Sequence, residues 1–381
     1  MGRFPLSRPS PFSGDPSVGR TSIFNVTDYA SVQAAIDACS QAGGGIVYFP
    51  VGKYSLNYTL QVPGNIVLQG SGNLDTVLET TDMNVAGDAV RVKGPGVQIR
   101  NIGFSSLLPR TGGSYVNFTV DSYECSLDQF HMEGAYIGVR MSGPTALYVE
   151  HGSIRNMSTA PQSCGILVDG GNDFAVRCVE MDNAADKQPL AGIWIQDTGC
   201  INITDCFLIH SGNDLLITGG YGIYAVNTFF DTAGCGIRIL AQKSVQRCHF
   251  LGCWTSSHQE HGFLIEPNSQ AVVDTIEVVG HQSCFNKFSG IFFGTGTNLK
   301  VSGSTVAQNG DIGLEIGPSA KHVSVNGNKV GSTAAMTGNR IGCLIQGTSD
   351  YVILTGNDFT GNIQGGIVGS CPHLIAANNF I

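Results

Sequence analysis

The chain has 381 residues, of which 51 are glycine and only 13% are charged, and its 20 Lys and Arg against 29 Asp and Glu leave a net charge of −9. That acidic balance repels a phosphate backbone and leaves no basic footprint, so nucleic acid is excluded as a partner. Gly, Ser, Thr and Asn interrupt every hydrophobic stretch well short of the ~20 residues that cross a bilayer, and no membrane span is expected.

Residues 1–22 form an arm with Arg3, Arg8 and Arg20 among four prolines, and they lack the apolar core of a secretory signal. Residues 23–50 read as a strand followed by a short helix. Ser31 can cap a helix over about Val32 to Ala42, with Val32, Ala35, Ile36 and Cys39 on one face and Gly43, Gly44 and Gly45 ending it. Such a helix is suited to plugging one open end of the domain that follows.

Residues 51–381 are dominated by a repeat. A small or polar residue followed by alternating apolar residues recurs at Gly138, Gly165, Gly192, Asp214, Gly236, Gly262, Gly290, Gly313, Gly342 and Gly366. The spacing averages about 25 residues, and a second alternating run lies between copies, as in Ile201 to Asp205 and Val323 to Gly327. Several short strands per unit and no helical period predict an all-β fold, a single-stranded parallel β-helix of about 12 coils with an N-terminal capping helix.

Alternation assigns faces. The residue after each turn position, from Val139 and Ile166 through Ile237 to Ile367, is expected inside the coils. The next residue faces out, giving an unusually apolar stripe that includes Leu167, Trp194, Leu216, Leu264, Phe292, Leu344 and Val368. A stripe of that kind marks a partner surface or a ligand groove, and a parallel homotrimer is expected. The twelve cysteines have no clustered spacing and are read as buried thiols, with Cys178, Cys206 and Cys248 in one stack. No metal motif and no phosphate-binding glycine loop occurs in a suitable context, so no metal and no cofactor is implied.

The stretch Ser31 to Pro50, followed by Gly52-Lys53-Tyr54 and Ile66 to Gly72, resembles the N-terminal signature of pectate-lyase-like β-helix proteins. Phage tailspikes and polysaccharide depolymerases share that signature. The resemblance implies a right-handed parallel β-helix and a bacterial surface polysaccharide as partner. With no secretion signal it also implies a place on a virion, where residues 1–22 would anchor the chain to other virion proteins. A non-enzymatic structural or receptor-binding virion protein and an extracellular, cellular carbohydrate-active enzyme are the alternatives.

Hydrolysis of a glycosidic bond needs two carboxyl groups roughly 5 Å apart for retention or 6.5 to 9.5 Å for inversion, whereas elimination needs a base beside a group that stabilises a carbanion. Matching positions on adjacent coils lie ~4.8 Å apart, so a β-helix supplies such spacings. The richest polar stretch is Trp254 to Glu266, with Asp231 and Arg238 one coil earlier and His210 and Asp214 before that. His210, Asp231 and His258 are expected in one column, either at a reaction centre or in a hydrogen-bonded polar ladder continued by Asn286 and Asn309. Asp231 and Glu260 are the expected carboxyl pair, with His258 as proton carrier if the chemistry is elimination. Trp254 would stack on a sugar face and Arg238 would orient an acidic substituent, with Glu266, Asp214 and Trp194 as further substrate contacts. Two weaker clusters, Asp169 with Asp197 and Asp121 to Asp128 with His131 and Glu133, read as turn and surface charge.

Overall fold

The computed structural model describes residues 22–81, 85–186 and 188–381, so almost all of the N-terminal arm lies outside the described residues. Strands hold 54% of the residues and helix 4%, and the strands wind through about 14 turns of a right-handed parallel β-helix. The solenoid exceeds the expected length because its early coils lack the glycine signal: Tyr115 stands where later coils have Gly138 and its successors.

The helix runs Val32–Gln41. Ser31 accepts the Ala34 N–H at 3.1 Å, satisfying one of the free donors of the first turn. Ala35, Ile36 and Cys39 are buried and join the core of the first coils. At Gly44, with φ of +119°, a Cβ would come within 2.4 Å of the Asn65 carbonyl oxygen, which fixes glycine at this close approach.

Each central turn carries three strands, here assigned to sheets A, B and C. In one turn these are Asn213–Ile217, Ile223–Val226 and Phe229–Asp231. Every pairing is parallel and joins one turn to the next. In sheet A the register runs Val139, Ile166, Ile193, Leu215, Ile237, Phe263 and Ile291. All seven are buried, so the inward face is as the alternation requires.

Two expectations change. Most of the repeated glycines sit within the sheet A strands rather than at turns, with Gly262 and Gly290 immediately before theirs, and a polar ladder beside them explains why. A Cβ on Gly236 would lie 2.4 Å from His258 Nε2, and one on Gly262 would lie 2.7 Å from Asn286 Nδ2. The outward stripe is also less open than its composition suggests. Leu167 and Leu216 are buried in a separate cluster with Tyr136, Leu190, Trp194 and Leu240 packed on it, and Leu264 is buried as well. Phe292, Leu344 and Val368 remain partly or fully exposed.

The ladder occupies the corner between sheets C and A. His258 Nδ1 accepts the Ala233 N–H at 3.1 Å, and Asn286 Oδ1 accepts the His258 N–H at 3.2 Å. Asn309 and Asn339 repeat the bond at 3.2 and 3.0 Å. Each rung thus satisfies a backbone donor of the turn before it, where an unpaired buried N–H is costly. Nine cysteines are buried, but Cys178 is exposed at a left-handed bend and Cys206 and Cys248 occupy other positions, so the expected three-thiol stack does not form.

Candidate functional site

The coils divide the expected site between two faces and the interior. Arg238 stands on the outer face of sheet A between Leu216 and Leu264. It forms ion pairs with Glu260 and, at 3.1 Å, with Glu266, so its charge is already matched from two sides. The loop before Phe263 follows the previous corner, with the Gln259 and Glu260 N–H groups bonded to the Ala233 and Gly234 carbonyls. That path carries Glu260 to Arg238 and sheet A. Asp231 instead ends a sheet C strand, and among the described residues it shares no hydrogen bond or ion pair with Glu260. The expected Asp231 and Glu260 pair is therefore not assembled.

His210, Asp231 and His258 lie in three different columns. Asp231 is in register with Ile209 and Ser256, His210 occupies the left-handed bend that follows Ile209, and His258 is a ladder rung. His258 is 1% exposed and burial pushes its pKa down to about 3, so it cannot exchange protons with a ligand outside. Asp214 is likewise an interior group. It replaces the ladder glycine beside Ser211 and Ala233, whose small side chains leave room for a carboxyl. Complete burial, and after it the nearby Asp231 carboxylate, raise its pKa well above the usual range, and with no exposed surface it makes no substrate contact. Trp194 is on sheet A and donates from Nε1 to Thr218 Oγ1 at 3.2 Å.

Trp254 is on sheet C, where it completes a row that the sequence reading missed. Glu180, Phe207, Phe229 and Trp254 occupy matching outward positions on successive coils. Phe207 and Phe229 are each 41% exposed, and the ring centroids are 6.0 Å apart from Phe207 to Phe229 and again from Phe229 to Trp254. Phe230 and Thr255 point inward from the same strands and are buried, which fixes the outward phase of the rings.

Polar side chains border this row. Asp182 and Asp231 stand on either side of Ile209 in the adjacent outward column, two coil steps or roughly 9.5 Å apart at the backbone. His210 Nδ1 lies 3.2 Å from Asp182 Oδ1, and Arg155 pairs with Glu180 at 2.7 Å. Cys178, Val179, Glu180, Asp205 and Phe207 line a recess of about 330 Å³ at the end of the row. Asp169 and Asp197 are in register as neighbours but bind Arg140 at 3.4 Å and Lys243 at 2.9 Å, the arrangement of surface charge. His131 belongs to sheet C and contacts Ser153 at 2.8 Å. Among the described residues no three His, Cys, Asp or Glu side chains gather to hold a metal ion.

A continuous right-handed parallel solenoid is the fold of the pectate-lyase-like class of β-helix proteins. The chain belongs to the rhamnogalacturonase A/epimerase, pectate-lyase-like family, whose sequence profile matches residues 25–258. Mannuronan C5-epimerase AlgE3 of Azotobacter vinelandii is 38% identical over 90 residues, a stretch that spans 21% of this chain and 5% of that protein. In structure, the A-module of Azotobacter vinelandii mannuronan C-5 epimerase AlgE4 superposes with a TM-score of 0.65 at 15% identity, covering 93% of this chain and all of the module. Tailspike protein 3 of bacteriophage CBA120 gives 0.69 at 12% identity over 94% of this chain and 61% of its own. These structural likenesses concern the fold.

Proposed function

We propose that this chain binds an extended polysaccharide along sheet C and cleaves it by hydrolysis, acting on a bacterial surface glycan as a tailspike-like virion protein. The outward row of exposed Phe207 and Phe229 and half-buried Trp254 carries this reading, because rings set one coil apart offer apolar faces to successive sugars. Asp182 and Asp231 border one side of the row two coil steps apart, a backbone spacing from which two carboxyl groups can approach the separation that an inverting pair requires. The carboxylate held by His210 suits the base that activates water, and Asp231, with no cation beside it, suits the acid. Phe229→Ala and Trp254→Ala are each expected to weaken binding of a cleavable oligosaccharide roughly fivefold to tenfold. Calorimetry that finds unchanged affinity in both folded variants rejects sheet C as the binding face.

A parallel homotrimer belongs to the same reading and would cover Phe292, Leu344 and Val368 on sheet A. Light scattering at micromolar concentration is expected to give three times the chain mass, and a stable monomer rejects it. A polyuronate epimerase or lyase is the second reading, favoured by the 38% identity over 90 residues to a mannuronan C5-epimerase. Absorbance at 235 nm and NMR of the product separate elimination and epimerisation from hydrolysis.

A further inference from the structure

Resting on the reading of sheet C as the glycan surface, we propose that its ligand is an uncharged polysaccharide lying along the solenoid axis, and not a polyuronate. Among the described residues, each basic side chain that borders the aromatic row already faces a carboxylate. Arg155 pairs with Glu180 at 2.7 Å, His210 with Asp182 at 3.2 Å, and Lys329, further along the same row, with Asp358 at 2.8 Å. Asp205 and Asp231 stand on opposite sides of the rings without a cationic partner among the described residues. Asp205 accepts from Asn227 Nδ2 at 2.6 Å and Asp231 from the Thr232 hydroxyl at 3.1 Å.

A polyuronate laid on the rings would bring a carboxylate with every sugar up to the Asp205 carboxylate, beside bases that are already paired. No cation is free there to receive it, and like charges brought together in a partly dehydrated groove repel strongly. A neutral sugar presents hydroxyl donors instead. Carboxylate oxygens only accept, and their hydrogen bonds from hydroxyl groups are among the stronger kinds. The recess walled by Glu180, Asp205 and Phe207 combines those acceptors with an apolar ring, the pairing that a neutral sugar requires.

Affinity electrophoresis of the full chain at low ionic strength tests this, with dextran, laminarin and galactomannan as neutral polymers and alginate and polygalacturonate as acidic ones. At least one neutral polymer is expected to retard the parent protein, with the retardation lost in the Phe229→Ala, Trp254→Ala double variant, while neither acidic polymer retards it. Asp205→Arg is expected to create a measurable retardation by alginate where the parent shows none. Retardation of the parent by an acidic polymer, dependent on Phe229 and Trp254, overturns the substrate class and leaves the sheet C reading standing. Asp205→Arg without a gain also overturns it. If no polymer acts through the two rings, the sheet C reading fails and the inference falls with it.

Discussion

Asp231→Asn is expected to lower polysaccharide cleavage by at least about 100-fold while changing affinity little, since loss of a general acid or base typically removes a factor of 10² to 10⁴. The Asn side chain keeps the acceptor that receives the Thr232 hydroxyl, so the bend at the end of Phe229–Asp231 is preserved. Asp182→Asn should have an effect of the same order, because water activation needs the carboxylate that His210 positions. Reducing-end release measures both, and the NMR signal of the first product is expected to have inverted anomeric configuration. Glu260→Gln distinguishes the two placements of the site. Glu260 is held on sheet A by Arg238, and its substitution should leave cleavage within twofold of the parent. Loss of activity in Glu260→Gln, with full activity in folded Asp182→Asn, would return the reaction to the corner of sheet A.

The inward face of the solenoid was legible because period 2 in a parallel strand fixes which side chains meet the core, and Ile237 or Phe263 obeys it wherever the turn before it begins. The division of the surface was not. Corner loops differ in length, with three residues between Phe207–Ile209 and Asn213–Ile217 but six between Trp254–Ser256 and Phe263–Ile265. Counting back from the sheet A glycines therefore puts His210, Asp231 and His258 in one column although they occupy three. Counting forward from the left-handed bend at Asp205, Asn227 and Gly252 gives the correct phase. Each of those residues precedes an outward ring by two positions, in Asp205-Cys-Phe207, Asn227-Thr-Phe229 and Gly252-Cys-Trp254. The signal for the aromatic row was present, but it is aligned on a different corner. The interior placement of Asp214 was legible in a weaker sense. Among the ten copies from Gly138 to Gly366 it alone carries a side chain at the glycine position, and such an exception needs room made for it by Ser211 and Ala233.

The buried histidines should make the folded chain acid-labile, and the ladder provides a direct way to test the cause. Burial pushes the pKa of His258 and of His281 down to about 3 and that of His261 to about 4, against about 6.5 in an unfolded chain. Each of these groups stays neutral in the fold and gains a proton on unfolding, so its stabilising effect is complete above pH 6.5. As pH falls below that value the unfolded state takes up protons that the native state refuses, and stability declines toward the folded pKa values. At pH 5 the loss is about 2 kcal/mol per histidine. Asp214 acts in the opposite sense, since its raised pKa favours the fold as pH falls, but it is one group against three. Urea midpoints are therefore expected to fall between pH 7 and pH 5. His258→Asn should flatten that fall by about one proton's worth. An asparagine oxygen at this rung can accept the Ala233 N–H as His258 Nδ1 does, and the following rungs Asn286, Asn309 and Asn339 already use that bond. A pH dependence unchanged in a folded His258→Asn variant would remove the ladder histidine as a source of the acid lability.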